Sequence, residues 1–143
     1  MRRRGDGACL VREVVLRGFV VIAIAAAMLV AACRPSEPLT VAAIQTGKSL
    51  NSDNSVATHS TSFRSTDTMY VSVLTAARGT GTIVVRWTFG GQMIHEVTKK
   101  VSYNDQAATD FRFQAADGFP VGAYMVEVLL DGKPVGERTV RVE

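Results

Sequence analysis

Two histidines and a methionine are the side chains best suited to bind a ligand in this sequence. Met93 and His95 are two residues apart in a stretch that predicts a β-strand, so both side chains are expected on one face of the sheet. A thioether beside an imidazole suits copper, and His59 could supply a further ligand from a polar segment. In the simpler interpretation Met93 packs and His95 is a solvated edge residue. We predict no metal and no cofactor, and keep copper binding as the alternative.

Catalytic chemistry has little support in the sequence. Nucleophilic catalysis needs a nucleophile, a base and a group that orients the base, and no serine lies in a Gly-x-Ser-x-Gly motif. The segment Gly47-Lys48-Ser49 ends like a phosphate-binding loop, but Ala42 stands where that loop needs its first glycine. We therefore predict no catalytic residue and a protein that is not an enzyme.

Cys33 has the clearest predicted chemistry. It follows an uncharged run of about 15 mostly apolar residues, which is shorter than the roughly 20 of a membrane-spanning helix and is preceded by arginines. Residues 1–32 therefore predict a helical signal peptide. Val30-Ala31-Ala32-Cys33 resembles the bacterial lipobox, and the resemblance implies that Cys33 is acylated and becomes the first residue after cleavage. Its acyl chains would bind a membrane, since each buried CH₂ contributes about 0.8 kcal/mol.

The residues after Cys33 bear on where the protein is held. Arg34 follows the cysteine, whereas an aspartate there commonly retains Gram-negative lipoproteins at the inner membrane. The resemblance therefore implies a place in the cell envelope, at the outer membrane facing the periplasm or at the cell surface. Residues 33–38 form the lipidated cysteine and a linker that Pro35 and Pro38 keep extended. The alternatives are an ordinary signal peptide and an uncleaved signal anchor.

Removal of the signal peptide changes the charge and cysteine counts. Residues 1–33 hold five arginines and two acids of the chain's 16 basic and 13 acidic residues, which leaves a net charge of zero for the rest. A neutral domain gives no electrostatic case for nucleic acid as a partner. The two cysteines are Cys9 and Cys33, so the segment after them has no thiol for a disulfide. Packing alone is expected to hold its fold.

Hydrophobic alternation predicts an all-β fold for residues 39–143. About seven strands, with turn signals roughly every 8–12 residues and no helical period, are typical of an immunoglobulin-like antiparallel β-sandwich. Turns are expected at 78–81 and at the hairpin-favouring pairs Gly90-Gly91 and Asp131-Gly132. The Ser- and Thr-rich segment 47–62 is expected to be a long exposed loop with a short edge strand at 56–58. The predicted strands are 39–45, 68–76, 82–89, 92–101, 109–114, 123–130 and 134–142.

Two aromatic residues support this fold. Trp87 lies on the strand where such sandwiches bury a tryptophan, and Gly122-x-Tyr124 resembles the tyrosine corner. The stretch from Phe119 to Val135 has the form Pro-x-Gly-x-Tyr, alternating strand, Asp-Gly and last strand. It is similar to the ending of small bacterial extracytoplasmic immunoglobulin-like domains, and Arg86-Trp87-Thr88 resembles an earlier part of such domains in small lipoproteins. The resemblance covers roughly residues 60–143 and implies fold and compartment, but no active site.

These features predict a lipid-anchored cell-envelope protein that acts as a non-enzymatic binding or structural module. Its protein partner is expected to meet the 47–62 loop or the 92–100 strand, an exposed edge that could take an added strand. An inhibitor of an extracytoplasmic hydrolase is a second form of the same hypothesis. Periplasmic copper binding through Met93 and His95 is the alternative of a different class.

Overall fold

Residues 37–143 are described by the structure, a computed structural model, and the predictions for the signal peptide and for Cys33 lie outside them. This part of the chain contains nine strands and no helix, so the predicted all-β class is confirmed and no helix within it could cross a membrane. The strands are β1 (Thr40–Leu50), β2 (Val56–His59), β3 (Ser62–Phe63), β4 (Met69–Ala76), β5 (Gly79–Phe89), β6 (Gln92–Tyr103), β7 (Ala107–Phe113), β8 (Gly122–Leu130) and β9 (Lys133–Val142).

The strands form two sheets that pack as a sandwich. One sheet has the strand order β2-β1-β4-β7, and the other has the order β3-β9-β8-β5-β6. Pairing is antiparallel except between β3 and β9, where Phe63 lies beside Val142 in a parallel pair. The immunoglobulin-like sandwich is therefore confirmed, with nine strands rather than about seven.

The core lies between the inner faces of the two sheets. Trp87 and Tyr124 are fully buried, as expected from their positions in the sequence. Trp87 meets Phe113 edge-on with ring centroids 5.6 Å apart, and its indole Nε1 has no hydrogen-bond partner among residues 37–143. An unpartnered buried donor costs about 1–3 kcal/mol, so apolar and aromatic contacts hold this side chain in place. The other buried members of the core cluster are Ile44, Phe63, Met69, Val71, Val73, Ile83, Val85, Phe111, Phe119, Val126, Val128, Val140 and Val142.

The start of β8 has the predicted tyrosine corner. The Tyr124 phenol donates a hydrogen bond of 2.7 Å to the carbonyl oxygen of Pro120, and its ring stacks on Phe89 with centroids 4.5 Å apart. Gly122 has a φ of +145°, and a Cβ there would lie 2.9 Å from Cε2 of Phe89. Glycine is therefore required at this position both by the backbone angle and by the neighbouring ring.

The segment 47–62 is not the long loop expected from its composition. β1 continues to Leu50, and β2 occupies Val56–His59, which confirms the short edge strand predicted at 56–58. Gly47 allows the two strands to approach, because a Cβ there would lie 2.2 Å from the Thr58 carbonyl oxygen. The turn predicted at 78–81 is also shorter than expected, since β5 already begins at Gly79. β2 is an edge strand whose last three residues are exposed, so the polar composition of the segment did not reveal its pairing with β1.

Candidate functional site

Met93 and His95 do not share a face, so the prediction that they point the same way is wrong. β6 contains a bulge: His95 is in register with Trp87 and Met93 with Thr88, which leaves Ile94 as an extra residue. Trp87 is buried in the core, and Thr88, the next residue along β5, points to the outer face. One inserted residue resets the alternation of side chains. Met93 and His95 therefore lie on opposite faces of the sheet.

The environments of these two side chains are the reverse of the simpler sequence interpretation. The His95 ring stacks on Phe113 with centroids 4.2 Å apart and an interplanar angle of 15°, and it lies 5.3 Å from the Trp87 ring. Met93, in contrast, is 58% exposed. His95 thus belongs to the margin of the aromatic core, and Met93 is the solvated residue.

His59 lies far from this pair, on the edge strand of the other sheet. It is in register with Gly47, and it lines a shallow cleft of about 400 Å³ together with Arg138. The β1–β2 side of the four-stranded sheet meets β9, whereas β7 on its other side meets β6. His59 and His95 are therefore on opposite sides of the sandwich. Within residues 37–143, no three His, Cys, Asp or Glu side chains are close enough to hold a metal ion.

β6 forms an open edge of the five-stranded sheet. This strand of 12 residues, Gln92–Tyr103, pairs with β5 along its length, and no other strand of the described chain pairs with its outer side. The predicted edge position of the 92–100 segment is thereby confirmed. A free edge presents backbone donors and acceptors to which a strand of another chain can bind.

Two hydrogen bonds between β5 and the β8–β9 turn show which way the backbone groups of β5 point. The Thr82 carbonyl oxygen accepts a bond of 2.9 Å from the Asp131 amide, and the Thr82 amide donates one of 2.9 Å to Asp131 Oδ1. Thr82 therefore directs both backbone groups towards β8. Successive residues of an antiparallel strand direct these groups to opposite sides. The odd-numbered residues of β5 consequently direct theirs towards β6.

This alternation fixes which residues of β6 are available at the open edge. Val97 is in register with Val85, and the other odd-numbered residues from 95 to 103 likewise face odd-numbered residues of β5. Their backbone groups are used within the sheet. Glu96, Thr98 and Lys100 lie between them and direct their N–H and C=O groups away from the sheet. β6 thus offers three alternate residues whose backbone groups can form hydrogen bonds with an added strand.

The charged side chains of β6 have different environments. Lys99 points inwards: its Nζ donates a bond of 2.5 Å to the Asp110 backbone carbonyl and lies 3.3 Å from Asp110 Oδ1. Glu96 lies on the outer face, with Oε2 2.5 Å from Arg86 Nε. Lys100 is exposed and forms no ion pair within the described part of the chain. The open edge therefore carries one carboxylate and one unpaired ammonium group.

A groove of about 520 Å³ crosses the outer face of the four-stranded sheet. The turn between β1 and β2 forms its wall by folding over β4, where Ser72 Oγ donates a bond of 2.8 Å to the Asn54 carbonyl oxygen. On the rim, hydrogen bonds from the hydroxyl and amide of Ser55 lower the pKa of the Asp53 carboxyl. Four alanines and one leucine form the apolar part of its lining, and they do not favour one class of ligand. These residues are Ala42, Leu74, Ala76, Ala107 and Ala108.

Exposed apolar side chains gather at the end of the sandwich that holds the Gly90-Gly91 turn. Met93 and Met125 are both in register with Thr88 on the outer face, and Val121 immediately precedes the start of β8. Together they form a second surface that a protein partner could cover. The members and their exposed fractions are Met93 58%, Ile94 43%, Val121 68% and Met125 44%.

Sequence reasoning missed the bulge that separates Met93 from His95. The available signal was the apolar pair Met93-Ile94, which interrupts the alternation that His95 and Val97 then continue. No family model matches the sequence, and no curated protein matches it.

Proposed function

We propose that this chain is a lipid-anchored, non-enzymatic binding module of the bacterial cell envelope. Acylated Cys33 holds it at a membrane, either the outer membrane facing the periplasm or the cell surface, and the open edge of β6 binds a protein partner by strand addition. The observation that supports this proposal best is that β6 has 12 residues and that, within residues 37–143, no strand pairs with its outer side.

Strand addition suits this edge for two reasons. Backbone hydrogen bonds supply affinity without a deep pocket, and alternate side chains supply specificity. Glu96 and Lys100 flank Thr98 on the outer face, so a partner strand with a base opposite Glu96 and an acid opposite Lys100 would fit best. The zero net charge after the signal peptide also favours a protein partner over nucleic acid.

The other two hypotheses gain no support from geometry. Copper binding needed Met93 and His95 on one face, and these side chains lie on opposite faces. No contact among residues 37–143 specifically favours inhibition of a hydrolase over binding of another protein. We therefore do not propose either function.

Photo-crosslinking in intact cells tests the binding surface. A photoreactive amino acid at Thr98, in the full chain, is expected to give a covalent adduct with the partner. Thr139 is an exposed residue on β9 of the same sheet and serves as the matched control, with no adduct expected. Adducts from Val121 but none from Thr98 would move the binding surface to the apolar end and overturn strand addition.

Mass spectrometry of the mature protein tests the anchor. We expect a chain that begins at Cys33 and carries acyl groups on it. A mature chain that still contains residues before position 33, or a Cys33 without acyl groups, would contradict the lipid-anchor part of the proposal. The crosslinking result at Thr98 does not depend on this outcome.

A further inference from the structure

We infer that the strand added to β6 is β6 of a second copy of this chain, antiparallel to the first and related to it by a two-fold axis at Thr98. This inference rests on the proposal that β6 takes an added strand, and it identifies that strand. The paired segment is His95–Val101, which lies beyond the bulge at Ile94 and is regular.

Backbone geometry favours this arrangement. Thr98 directs its N–H and C=O outwards, so the two copies of Thr98 form a reciprocal hydrogen-bonded pair on the axis. Glu96 and Lys100 also direct their backbone groups outwards. Glu96 of each copy lies opposite Lys100 of the other copy. The pairing therefore forms about six backbone hydrogen bonds and uses every outward-facing group of the central segment.

Charge selects this register among the possible ones. A two-fold axis at Glu96 or at Lys100 places like charges opposite each other. An axis at Val97 or at Lys99 leaves Glu96 opposite an uncharged residue. Only an axis at Thr98 places Glu96 opposite Lys100 of the second copy, and symmetry repeats that pair on the other side of the axis. Opposite charges in directly paired positions stabilise a sheet, and like charges destabilise it.

The side chains present at the edge complete this match. Glu96 Oε2 is held by Arg86, and no hydrogen bond of the described chain uses Oε1, so Lys100 of the second copy can bind there. Lysines at an edge usually oppose strand addition. Here Lys99 is turned inwards onto Asp110, so it does not project from the edge. Lys100, the remaining lysine, has Glu96 of the second copy as its counter-ion.

Two anchored copies can pair in this way on one membrane. Pro38 bridges to Thr80, which is in register with Ser102, so the tether of each copy starts near its own Ser102. Antiparallel pairing about Thr98 separates the two Ser102 positions by about 27 Å along the strands, at roughly 3.4 Å per residue.

Charge reversal in the purified full chain, in detergent, tests the register by analytical ultracentrifugation. Glu96→Lys and Lys100→Glu are each expected to raise the dimer dissociation constant about tenfold. Each substitution turns both symmetry-related attractive pairs of the dimer into repulsive ones. The double variant is expected to recover wild-type affinity. Lys133→Glu makes the same charge change at the exposed β8–β9 turn and should have no effect. A monomeric wild type, no recovery in the double variant, or equal weakening by Lys133→Glu would each overturn the inference.

Single cysteines give a second test, in a full chain whose Cys9 and Cys33 are replaced by serine. Thr98→Cys is expected to form an intermolecular disulfide under mild oxidation, because the paired Cα atoms would be about 5.5 Å apart. Ser102→Cys is the control on the same strand. Its thiol should not cross-link, because the Ser102 positions of the two copies lie far apart in this pairing. Equal cross-linking at both sites would contradict the register.

A Thr98 adduct with a different protein in cells, together with a monomeric chain, would reject self-pairing and retain strand addition. Neither adduct nor disulfide at Thr98 would reject both.

Discussion

Tyr124 donates its phenolic hydrogen to the carbonyl oxygen of Pro120, four residues earlier, at 2.7 Å. This bond closes the chain segment that leads into β8, and the phenol ring lies between Phe89 and Phe119 with centroids 4.5 and 5.8 Å away. A fully buried tyrosine would otherwise leave a polar group without a partner. The corner therefore joins local chain geometry to the aromatic core.

We expect Tyr124→Phe to lower the free energy of unfolding by about 0.5–1.5 kcal/mol at neutral pH, because the bond to Pro120 is lost and the ring contacts remain. Urea denaturation followed by circular dichroism measures the change. Phe89→Leu is the matched control, since it alters the stack and leaves the bond. A Tyr124→Phe variant as stable as the wild type would show that the bond contributes nothing.

The same residue predicts a dependence on alkaline pH. Burial raises the pKa of the Tyr124 phenol above its usual value of 10.0. Its contribution is therefore complete below pH 10 and is lost as the pH rises through the higher pKa of the folded state. The stability difference between the wild type and Tyr124→Phe should shrink or reverse in that range. Urea midpoints at neutral and strongly alkaline pH test this, and a difference that is constant with pH would contradict it.

Trp87→Ala is expected to cost about 3–5 kcal/mol, since it removes a fully buried large aromatic side chain from between the sheets. Trp87→Phe should cost less, because it keeps a ring and also removes the unpartnered Nε1–H. Thermal denaturation followed by circular dichroism measures both. An unchanged melting temperature for Trp87→Ala would place the side chain outside the core.

Gly47→Ala is expected to destabilise the β1–β2 pair by about 1–3 kcal/mol. The new Cβ would meet the Thr58 carbonyl oxygen at 2.2 Å, and a backbone atom in a paired strand cannot easily move away. Gly136→Ala is the control, because its Cβ would meet only the flexible Cδ1 of Ile44 at 2.6 Å. Hydrogen exchange of the β2 amides and urea denaturation report the two effects. Equal costs for the two variants would contradict the role of the backbone contact.

Asp67→Asn is expected to lower stability at neutral pH by about 0.5–1 kcal/mol. The Asp67 carboxylate accepts a bond of 2.8 Å from the Arg64 amide and lies 3.1 Å from Lys48 Nζ, and these contacts lower its pKa below 3.8. A lowered pKa stabilises the fold at pH values above the ordinary one, and that contribution is lost as the pH falls through the lowered value. The variant and the wild type should therefore converge in urea denaturation at pH values below the lowered pKa. A gap that persists there would show that the charge is not its cause.

Copper titration followed by native mass spectrometry tests the alternative that we set aside. We expect no stoichiometric uptake that depends on Met93 and His95, because the bulge holds their side chains on opposite faces. His95→Ala and Met93→Ala should behave like the wild type in this measurement. Uptake of one ion that is lost in both variants would require the strand to rearrange and would revive the copper hypothesis.

The sequence by itself determined the class of fold and most of the strands. Side chains that alternate between apolar and polar, as in Thr82–Phe89, indicate a strand with one buried face. The Gly90-Gly91 and Asp131-Gly132 turns were predictable because they require positive φ angles, which glycine adopts freely and aspartate tolerates. The tyrosine corner was also predictable, since Tyr124 bonds only four residues back. These features depend on residues that are close together in the chain.

Tertiary structure alone decided the site. The bulge at Ile94 arises from the register between β5 and β6, and that register reversed the expected faces of Met93 and His95. The extension of β1 past Gly47 likewise depends on its approach to β2 and β4. The hydrogen bond between Thr82 and Asp131 shows which backbone groups of β5 face β6. Those groups in turn determine which residues of β6 keep unpaired N–H and C=O groups at the edge. Local periodicity predicts whether side chains alternate between buried and exposed. Only long-range strand pairing determines which edge of the sheet has no neighbouring strand.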